Sequence, residues 1–472
     1  MSGMLAFWLG LSFVSTLPYW LPALVIRLRM HIFTRINGEE ALQLPNRQFG
    51  PEAFRRVYSN AAVTGRSRGA KLSDLFWYWL SPGPEIHQEH LEYGARYDKI
   101  AGLTRRILAV PRAQIEALLD RCAADVWAAQ NEKPWGLVRL RDMMMPLWAS
   151  FYYELVFGEA CTPAIRQLIV DNADDVVTAL KCCGLRHMKK RRKLTDLLLE
   201  KLRTGKLPHA FPPGFTRLEQ AHYLQGTYFN TAIVQMSEAM AHLIMALAQH
   251  PHVQEKLASA PADRQLHDHV IDESLRLYPL FGIAHRIAVA DFQLEGLSIG
   301  ASSVVCFNYP EYHKAGYFEP DSFNPKRWQQ CPARESNFIP FGISTNRPCP
   351  AQGVALVSMR HLLTIVLRRH RFATAAEHTR SLPNRGPCLR LLRHQRTLSP
   401  RAEVLLLAWM TIRDQWEGVF RSVAQLILGT IMILHARRLR LCERYFAALG
   451  GDTSDREVAR STRAAGETDA DS

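Results

Sequence analysis

The chain has 472 residues, of which 47% are hydrophobic, and a formal net charge of +14. This composition excludes a generally disordered chain and is sufficient for a sizeable core. The nine cysteines are odd in number and include no C-x-x-C pair, which argues against a disulfide framework or a structural zinc site and favours a reducing compartment.

The N-terminus predicts a membrane anchor. Residues 1–26 carry no charge, and Arg27 is the first of three arginines in the next nine positions. The apolar length meets the roughly 20 residues that span a bilayer, and the basic flank predicts a cytoplasmic location for the rest of the chain. Pro18 and Pro22 leave a kinked span or an interfacial anchor open, and the missing basic n-region argues against a cleaved signal peptide. We assign residues 1–30 to this anchor.

The central part of the chain predicts a mainly α-helical domain with small β-sheets. Residues 98–249 have mostly helical periodicity, and the longest run, 218–249, ends at a His-Pro pair. A shorter helix is expected over residues 262–277. Alternating segments over 287–307 then predict a small antiparallel sheet, and an apolar helix follows over 354–366.

The C-terminal part predicts a helical extension and a tail. Residues 419–434 are apolar but interrupted by Arg421, so we expect a docked or interfacial helix rather than a second span. From about residue 450 the chain is polar and lacks aromatic residues, which predicts disorder. The expected division is therefore a domain over 31–398, an extension over 399–449 and a tail over 450–472.

The net positive charge is compatible with an acidic partner, an anionic membrane or nucleic acid. The densest basic run, residues 189–193, precedes a helical pattern and has no interleaved aromatic residues. A solvated helix end is the simpler interpretation of this run, so we predict no nucleic-acid partner.

Cys349 lies in the most informative loop of the sequence. An apolar lead, residues 338–342, precedes Arg347, and Pro350 suits the first position of the helix that follows. A helix N-terminus lowers the pKa of a thiol and stabilises its anion. Such a thiolate suits a metal in a flat anionic cofactor, although most lone cysteines are small buried apolar residues.

Two further features precede this loop. Glu273 and Arg276 lie three residues apart on one helix face, and Arg327 lies in a proline-fixed segment, Phe-Asn-Pro-Lys-Arg-Trp. Each feature alone is common, since surface ion pairs and turns of this kind occur in many proteins. In this order, with 76 residues from Glu273 to Cys349, the set resembles the cytochrome P450 family of haem-thiolate enzymes over most of the chain from about Arg105 to Arg390.

The resemblance implies specific roles for the cofactor-binding residues. Cys349 matches the axial thiolate ligand of the iron in haem b, and Phe341 matches the family's loop phenylalanine. Arg347 and Arg286 match partners of the haem propionates. The resemblance also implies that Glu273 and Arg276 lock onto Arg327 and hold the cysteine loop.

The loop and the preceding helix depart from the family pattern. Phe341 stands eight residues before the cysteine instead of the usual seven, and Thr345 and Ala351 occupy positions where glycines are expected. We therefore expect the loop to bulge while still binding haem. The W-x-x-x-R pattern of the family's haem-contacting helix is also missing near Arg105.

The helix that should face oxygen departs further. Counting back from the His-Pro pair places the family's acid-alcohol pair at Val234 and Gln235. Proton delivery needs a relay within hydrogen-bond reach, and an amide cannot readily supply a net proton. Asn230 and Thr231, about one turn away, are substitute candidates beside Gln235, and ordinary helix packing is the alternative interpretation.

The leading prediction is a membrane-anchored monooxygenase with a cytoplasmic catalytic domain. It would insert oxygen from dioxygen into a hydrophobic small molecule, with electrons from a reductase or ferredoxin, as the resemblance implies. The missing acid-alcohol pair leaves open a peroxide-dependent peroxygenase or an enzyme that rearranges an oxygenated substrate. A non-catalytic haem-binding or interaction protein is the third hypothesis.

Overall fold

The computed structural model describes residues 2–37, 41–68, 71–81, 91–128, 133–205, 207–379, 381–382, 384–395 and 398–448. The predicted tail over 450–472 lies outside these residues. The helices are α1 (Ser2–Asn37), α2 (Pro51–Tyr58), α3 (Lys71–Leu80), α4 (Ala95–Leu108), α5 (Arg112–Ala128), α6 (Leu140–Phe157), α7 (Pro163–Leu180), α8 (Met188–Thr204), α9 (Arg217–Leu224), α10 (Ile233–Gln249), α11 (Pro251–Ser259), α12 (Arg264–Leu277), α13 (Tyr309–Lys314), α14 (Arg327–Gln330), α15 (Gln352–Arg369), α16 (Pro400–Leu439) and α17 (Leu441–Ala448).

Three small sheets complete the described fold, in agreement with the predicted class. The strands are β1 (Leu42–Leu44), β2 (Trp135–Arg139), β3 (Ile283–Ile287), β4 (Phe292–Leu294), β5 (Leu297–Ile299), β6 (Val304–Asn308), β7 (His370–Ala373) and β8 (Pro387–Leu392). Their orders are β1-β6-β3, β2-β8-β7 and β4-β5. The predicted sheet over 287–307 thus corresponds to a hairpin, β4-β5, lying between the paired strands β3 and β6.

The longest predicted run is one continuous helical rod made of three parts. Thr216 and Glu219 form a reciprocal capping box at its start. The backbone then widens to a π-helix over Gln225–Ala232 before α10 continues to the His250-Pro251 stop. Almost all of α10 is buried, and it packs against α6 and α12 in the main core. Inserted π-turns are frequent at functional sites because they re-aim side chains.

The basic run at the start of α8 is not wholly solvated, which corrects the sequence interpretation. Arg191 is fully buried, and its Nε donates to Asp175 Oδ2 at 2.8 Å. Its Nη1 also donates to the carbonyl of Ser81 at 2.9 Å. The run therefore joins α7, α8 and the end of α3, and its other four basic residues remain on the surface or partly covered.

The helix that contains the apolar segment 419–434 is longer than that segment and packs along the domain. α16 has 40 residues, contacts α1, α3 and β8, and carries Arg421 in an ion pair with Glu417. α1 runs through Pro18 and Pro22 as one helix. Its residues 4–16 are all exposed, whereas Val25 is buried and Arg29 donates to Gln425 at 2.9 Å.

Candidate active site

A cavity opens between the central helical rod and the loop that precedes α15. It encloses about 1400 Å³ of empty space, counting its open mouth. Its walls are mainly apolar and are supplied by α4, α6, α10, the β3 region and the start of α15. The cavity brings together six residues predicted from the sequence: Cys349, Arg347, Phe341, Arg286, Thr231 and Gln235.

Cys349 lies three residues before the first residue of α15, which begins at Gln352 and not at the predicted position, Pro350. Its N–H donates to the carbonyl of Phe341 at 2.8 Å, and its own carbonyl accepts from the N–H of Gln352 at 3.3 Å. Gly342 turns the chain with φ of 74°, and a Cβ there would lie 3.1 Å from the hydroxyl of Tyr58. Arg347 also has positive φ, 49°, which is unusual for a residue with a side chain. Two residues of the loop thus have left-handed backbone conformations, and Cys349 lines the cavity.

A buried ion-pair network is centred on Glu273. The carboxylate accepts from Arg276 Nη2 at 2.8 Å and from Arg327 Nε at 3.0 Å. It also accepts from the indole N–H of Trp328 at 3.1 Å and the backbone N–H of Asn324 at 2.8 Å. Glu273 and Arg276 are fully buried, and Arg327 is nearly so. Trp328 and Asn324 were not predicted as partners, although they belong to the same proline-fixed segment.

This network continues to the cysteine loop through aromatic contacts. The ring of Trp328 lies 4.8 Å from that of Phe338, which opens the loop. His313 accepts a hydrogen bond from the N–H of Ile339 at 3.2 Å through Nε2. Burial, then the charge of Arg276, lowers the pKa of His313 to about 3, so the ring is neutral and able to accept. The network therefore supports the loop at two successive residues.

Two arginines in the cavity wall carry buried nitrogen atoms without acceptors. Arg286, on β3, donates through Nη2 to the hydroxyl of Tyr58 at 3.3 Å, but its Nε has no hydrogen-bond partner among the described residues. Arg347 Nη1 donates to the carbonyl of Leu91 at 2.7 Å, and its Nη2 lies 3.8 Å from a carboxylate oxygen of Glu92, beyond hydrogen-bond distance. Its Nε has no hydrogen-bond partner among the described residues. Burial lowers the pKa of Arg347, which shows how strongly this guanidinium is desolvated.

The arrangement of these atoms fits a flat cofactor with a metal and two carboxylates. Buried guanidinium N–H groups without acceptors favour an anionic partner, because a buried donor left unpaired costs about 1–3 kcal/mol. The sulfur and the two arginines lie on the wall of one mainly apolar cavity. The donor set is therefore that expected for haem with its propionates.

The opposite wall carries a polar stripe on the central rod. Thr227, Thr231 and Gln235 are spaced four residues apart and all line the cavity. The hydroxyl oxygen of Thr227 is buried and has no hydrogen-bond partner among the described residues. Thr227 was not predicted, although its helical spacing from Thr231 in an otherwise apolar run was a usable signal.

Asn230 does not belong to this stripe, which corrects the sequence hypothesis. It is fully buried away from the cavity, and its Nδ2 donates to the carbonyl of Leu80 at 2.5 Å. Its Oδ1 accepts from Nδ2 of Asn172 at 2.7 Å. Both ends of the amide thus bond to residues of α3 and α7, so Asn230 holds the rod against these helices.

Several hydroxyl groups extend the polar part of the wall. Thr104 Oγ1 lies 2.8 Å from Tyr223 Oη, which lies 3.3 Å from Tyr228 Oη, and both ends of this chain line the cavity. Tyr152 also lines the cavity. Burial first, and then the charge of the Cys349 sulfur, raises the pKa of Tyr152 well above its usual value. These phenols therefore remain protonated at neutral pH.

Comparison with known proteins gives the class to which this fold and site belong. A sequence profile described as Cytochrome P450 matches residues 164–399, half of the chain. Cytochrome P450 3A9 of Rattus norvegicus is 30% identical over 161 residues, which are 30% of this chain and 32% of that protein. Cytochrome P450 4c21 of Blattella germanica is 31% identical over 180 residues, 33% of this chain and 34% of that protein. The chain spans about a third of the length of these curated relatives.

Solved structures show the same fold at low sequence identity. A zebra fish cytochrome P450 with progesterone aligns with a TM-score of 0.58 and 18% identity, covering 73% of this chain and 92% of that one. Cytochrome P450EX alpha with myristic acid gives the same TM-score and identity, covering 73% and 87%. This chain belongs to the cytochrome P450 family. The predicted family and its mainly helical fold with small sheets are confirmed.

Proposed function

We propose that this chain is a haem-thiolate monooxygenase that inserts oxygen into a hydrophobic small molecule. The observation that carries the proposal is the cavity in which the sulfur of Cys349 lies with two buried arginines whose Nε atoms have no hydrogen-bond partner among the described residues. Cys349 would bind the iron of haem b, and Arg286 and Arg347 would bind the propionates. Phe341 lies in the same wall, one residue before the turn at Gly342.

The chain's own residues would fix the position of the cofactor and the polarity of its surroundings. Bound haem would supply the activation of oxygen, which a thiolate ligand favours by donating electron density to the iron. The Glu273, Arg276 and Arg327 network would keep the loop in position. The protonated hydroxyl of Tyr152 would place a neutral polar group near the sulfur.

The polar stripe would organise water on the oxygen side. Thr227 and Thr231 can donate and accept through their hydroxyl groups, and Gln235 can do both through its amide. The described residues that line the cavity include no Asp or Glu. A net proton would therefore have to arrive through water held by hydroxyl and amide groups rather than from an adjacent carboxyl group.

The same absence of a carboxylate, among the lining residues described, favours a second candidate function. A peroxide-dependent peroxygenase, or an enzyme that rearranges an oxygenated substrate, needs no delivery of protons to dioxygen. Purified protein given either peroxide or a reductase with NADPH would separate these reactions. Turnover only with the reductase system would eliminate the second candidate.

The ligands in the structural neighbours include (R)-ibuprophen, a steroid and fatty acids. One neighbour contains progesterone, and others contain myristic acid or arachidonic acid. Steroids and fatty acids share a large apolar surface, as does the wall of this cavity. These ligands support a hydrophobic substrate without selecting between the two classes.

The proposed location is a membrane, with the catalytic domain of residues 31–398 in the cytoplasm. Residues 4–32 of α1 are long and apolar enough to cross a bilayer, and only 6% of the most apolar window is buried. The basic flank that follows residue 26 supports the cytoplasmic orientation. A reductase or ferredoxin would supply electrons, and the net charge of +14 would favour an acidic partner.

The carbon monoxide difference spectrum of the reduced protein tests the haem assignment. The full chain should show the Soret band of a thiolate-ligated haem, and Cys349→Ala should abolish it. Cys331→Ala is the matched control, because Cys331 is half-buried and lies outside the cavity wall. A thiolate band that persists in Cys349→Ala would refute the ligand assignment, and absence of haem from the wild type would favour the non-catalytic interaction protein.

A further inference from the structure

The C-terminal helix α16 carries a continuous apolar stripe on the side that faces away from the domain. Its nine members recur at intervals of three or four residues, which places them on one face of a helix. The stripe consists of Leu405, Trp409, Ile412, Trp416, Phe420, Val423, Ile427, Ile431 and Leu434. Eight of them are between 42% and 73% exposed, and Trp416 is partly covered. The stripe is about 44 Å long at 1.5 Å per residue.

The acidic residues of α16 lie on the side that contacts the domain. Glu403 pairs with Arg371 at 2.6 Å, Glu417 pairs with Arg139 at 3.1 Å, and Asp414 accepts a hydrogen bond from Asn384. α16 contains no other acidic residue. The exposed charged residues of this helix are all basic, and they are Arg401, Arg413 and Arg438.

Residues 400–448, like α1, are long and apolar enough to cross a bilayer, but contacts along α16 hold this helix against the domain. Glu403 holds the first turn to β7, and Arg437 donates to the carbonyl of Lys71 near the last turn. Gln425 donates to the carbonyl of Lys181 at 2.8 Å between them. Because the whole length is held against one domain, a bilayer that contacts the stripe must lie parallel to the helix.

We propose that the outward face of α16 lies in the surface of an anionic phospholipid bilayer, beside the anchor helix α1. An apolar stripe bordered only by exposed arginines has the chemistry of an interfacial helix, which inserts its apolar face and attracts anionic headgroups. Direct packing against α1 places this face next to the segment that is apolar enough to span the membrane. The domain is thereby held to the membrane at two elements, and its orientation on the membrane is fixed.

Photolabelling from the bilayer tests this arrangement in the full chain. The probe is a vesicle of phosphatidylcholine and phosphatidylserine that contains a phospholipid with a diazirine in its acyl chain. We expect lipid adducts on peptides from both α1 and residues 404–434 of α16. The variant Leu405→Gln, Trp409→Gln, Ile412→Gln should reduce adducts at the N-terminal half of α16 about tenfold, because three apolar side chains leave the lipid.

A matched control separates this loss from a general effect of polar substitution. The variant Leu218→Gln, Leu297→Gln, Phe318→Gln removes three exposed apolar side chains elsewhere and should leave the adducts on α16 unchanged. Adducts confined to α1 would overturn the proposal for α16 while leaving the anchor intact. Absence of lipid adducts on α16, with the protein sedimenting as a dimer that the Leu405→Gln, Trp409→Gln, Ile412→Gln variant dissociates, would show that a second copy covers the stripe and would also overturn it. Neither result depends on haem or turnover.

Discussion

At the scale of single residues, buried polar groups differ in whether the rest of the protein supplies their hydrogen-bond partners. Glu273 has no contact with solvent and accepts hydrogen bonds from four residues, so its role is to hold other residues. Thr227 and Arg286 each have a buried polar atom without a partner among the described residues. Similar atoms also occur elsewhere among the described residues, so only those that line the cavity beside Cys349 bear on the proposed site.

Replacing Glu273 with glutamine should destabilise the protein strongly. Arg276 and Arg327 would then be buried without a counter-charge, and breaking a buried pair in this way costs about 3–5 kcal/mol. Urea unfolding should show the loss, and the Soret absorbance per chain should fall because the cysteine loop loses its support. Glu311→Gln, an exposed carboxylate on α13, should leave both quantities unchanged.

Substitution of Thr227 should change catalytic coupling, whereas substitution of Asn230 should change the free energy of unfolding. Thr227→Val should leave the unfolding midpoint and the haem spectrum close to wild type but reduce product formed per NADPH about tenfold, because a hydroxyl is lost from the proton path. Asn230→Ala should lower the free energy of unfolding by about 1–3 kcal/mol, since it leaves the carbonyl of Leu80 unsatisfied. Equal effects of both substitutions on coupling would contradict the separation of their roles.

At the scale of elements, the C-terminal helices support the part of the domain that borders the site. The N–H of Cys442 donates to Asp74 at 2.9 Å, and the ring of Trp77 lies 5.1 Å from that of Tyr445. Trp77 also donates to Ser67 Oγ at 3.0 Å, and the N–H of Ser67 donates to Glu92 at 2.7 Å. Contacts therefore run from α17 through α3 to the residues around Arg347.

Trp77→Ala should consequently weaken haem retention as well as stability. The indole is almost fully buried, and its removal should cost about 3–5 kcal/mol through the cavity that it leaves. The rate of haem transfer to an excess of an apo-globin should rise. Trp135→Ala, which removes a more exposed indole from β2, is the control. Unchanged haem transfer in Trp77→Ala would mean that α3 does not support the Arg347 region.

Helices were more predictable than sheets because their signal is local. The central rod, α12 and α15 follow from periodicity and caps, and the observed ends differ from the expected ones by only a few residues. β1 pairs with β6, and β2 pairs with β8, across more than 200 residues of chain. Strand pairing over such separations depends on how the helices pack, and no local pattern specifies it.

At the scale of the whole molecule, buried neutral histidines couple stability to pH. Burial, then Arg276 for His313 and Arg66 for His285, lowers the pKa of each ring to about 3. Both rings are neutral in the folded protein, whereas the unfolded chain binds protons near pH 6.5. Stability from these groups is therefore complete above pH 6.5 and decreases as the pH falls toward 3.

The pH dependence of unfolding should show this coupling. As the pH falls from 6.5 to 5, each of these two histidines should lower the free energy of unfolding by about 2 kcal/mol. Urea titrations at the two pH values should show a loss smaller by about that amount in His313→Gln than in wild type. His252→Gln, at an exposed position, should retain the full loss. A wild-type protein with equal stability at both pH values would contradict the buried neutral state.

The sequence alone determined the family resemblance, the cysteine loop and the apolar N-terminus, because these depend on residue type and order. It placed Cys349, Arg286, Arg347, Thr231 and Gln235 in one site, and the structure brings all five to one cavity. Only the tertiary structure decided that Asn230 faces away, that Thr227 lines the wall, and that α16 lies along the domain. The physical reason is that the direction of a side chain and the burial of a helix face depend on contacts with residues far away in the chain. The direction of these side chains also depends on the π-helix over Gln225–Ala232, which the residue types do not predict.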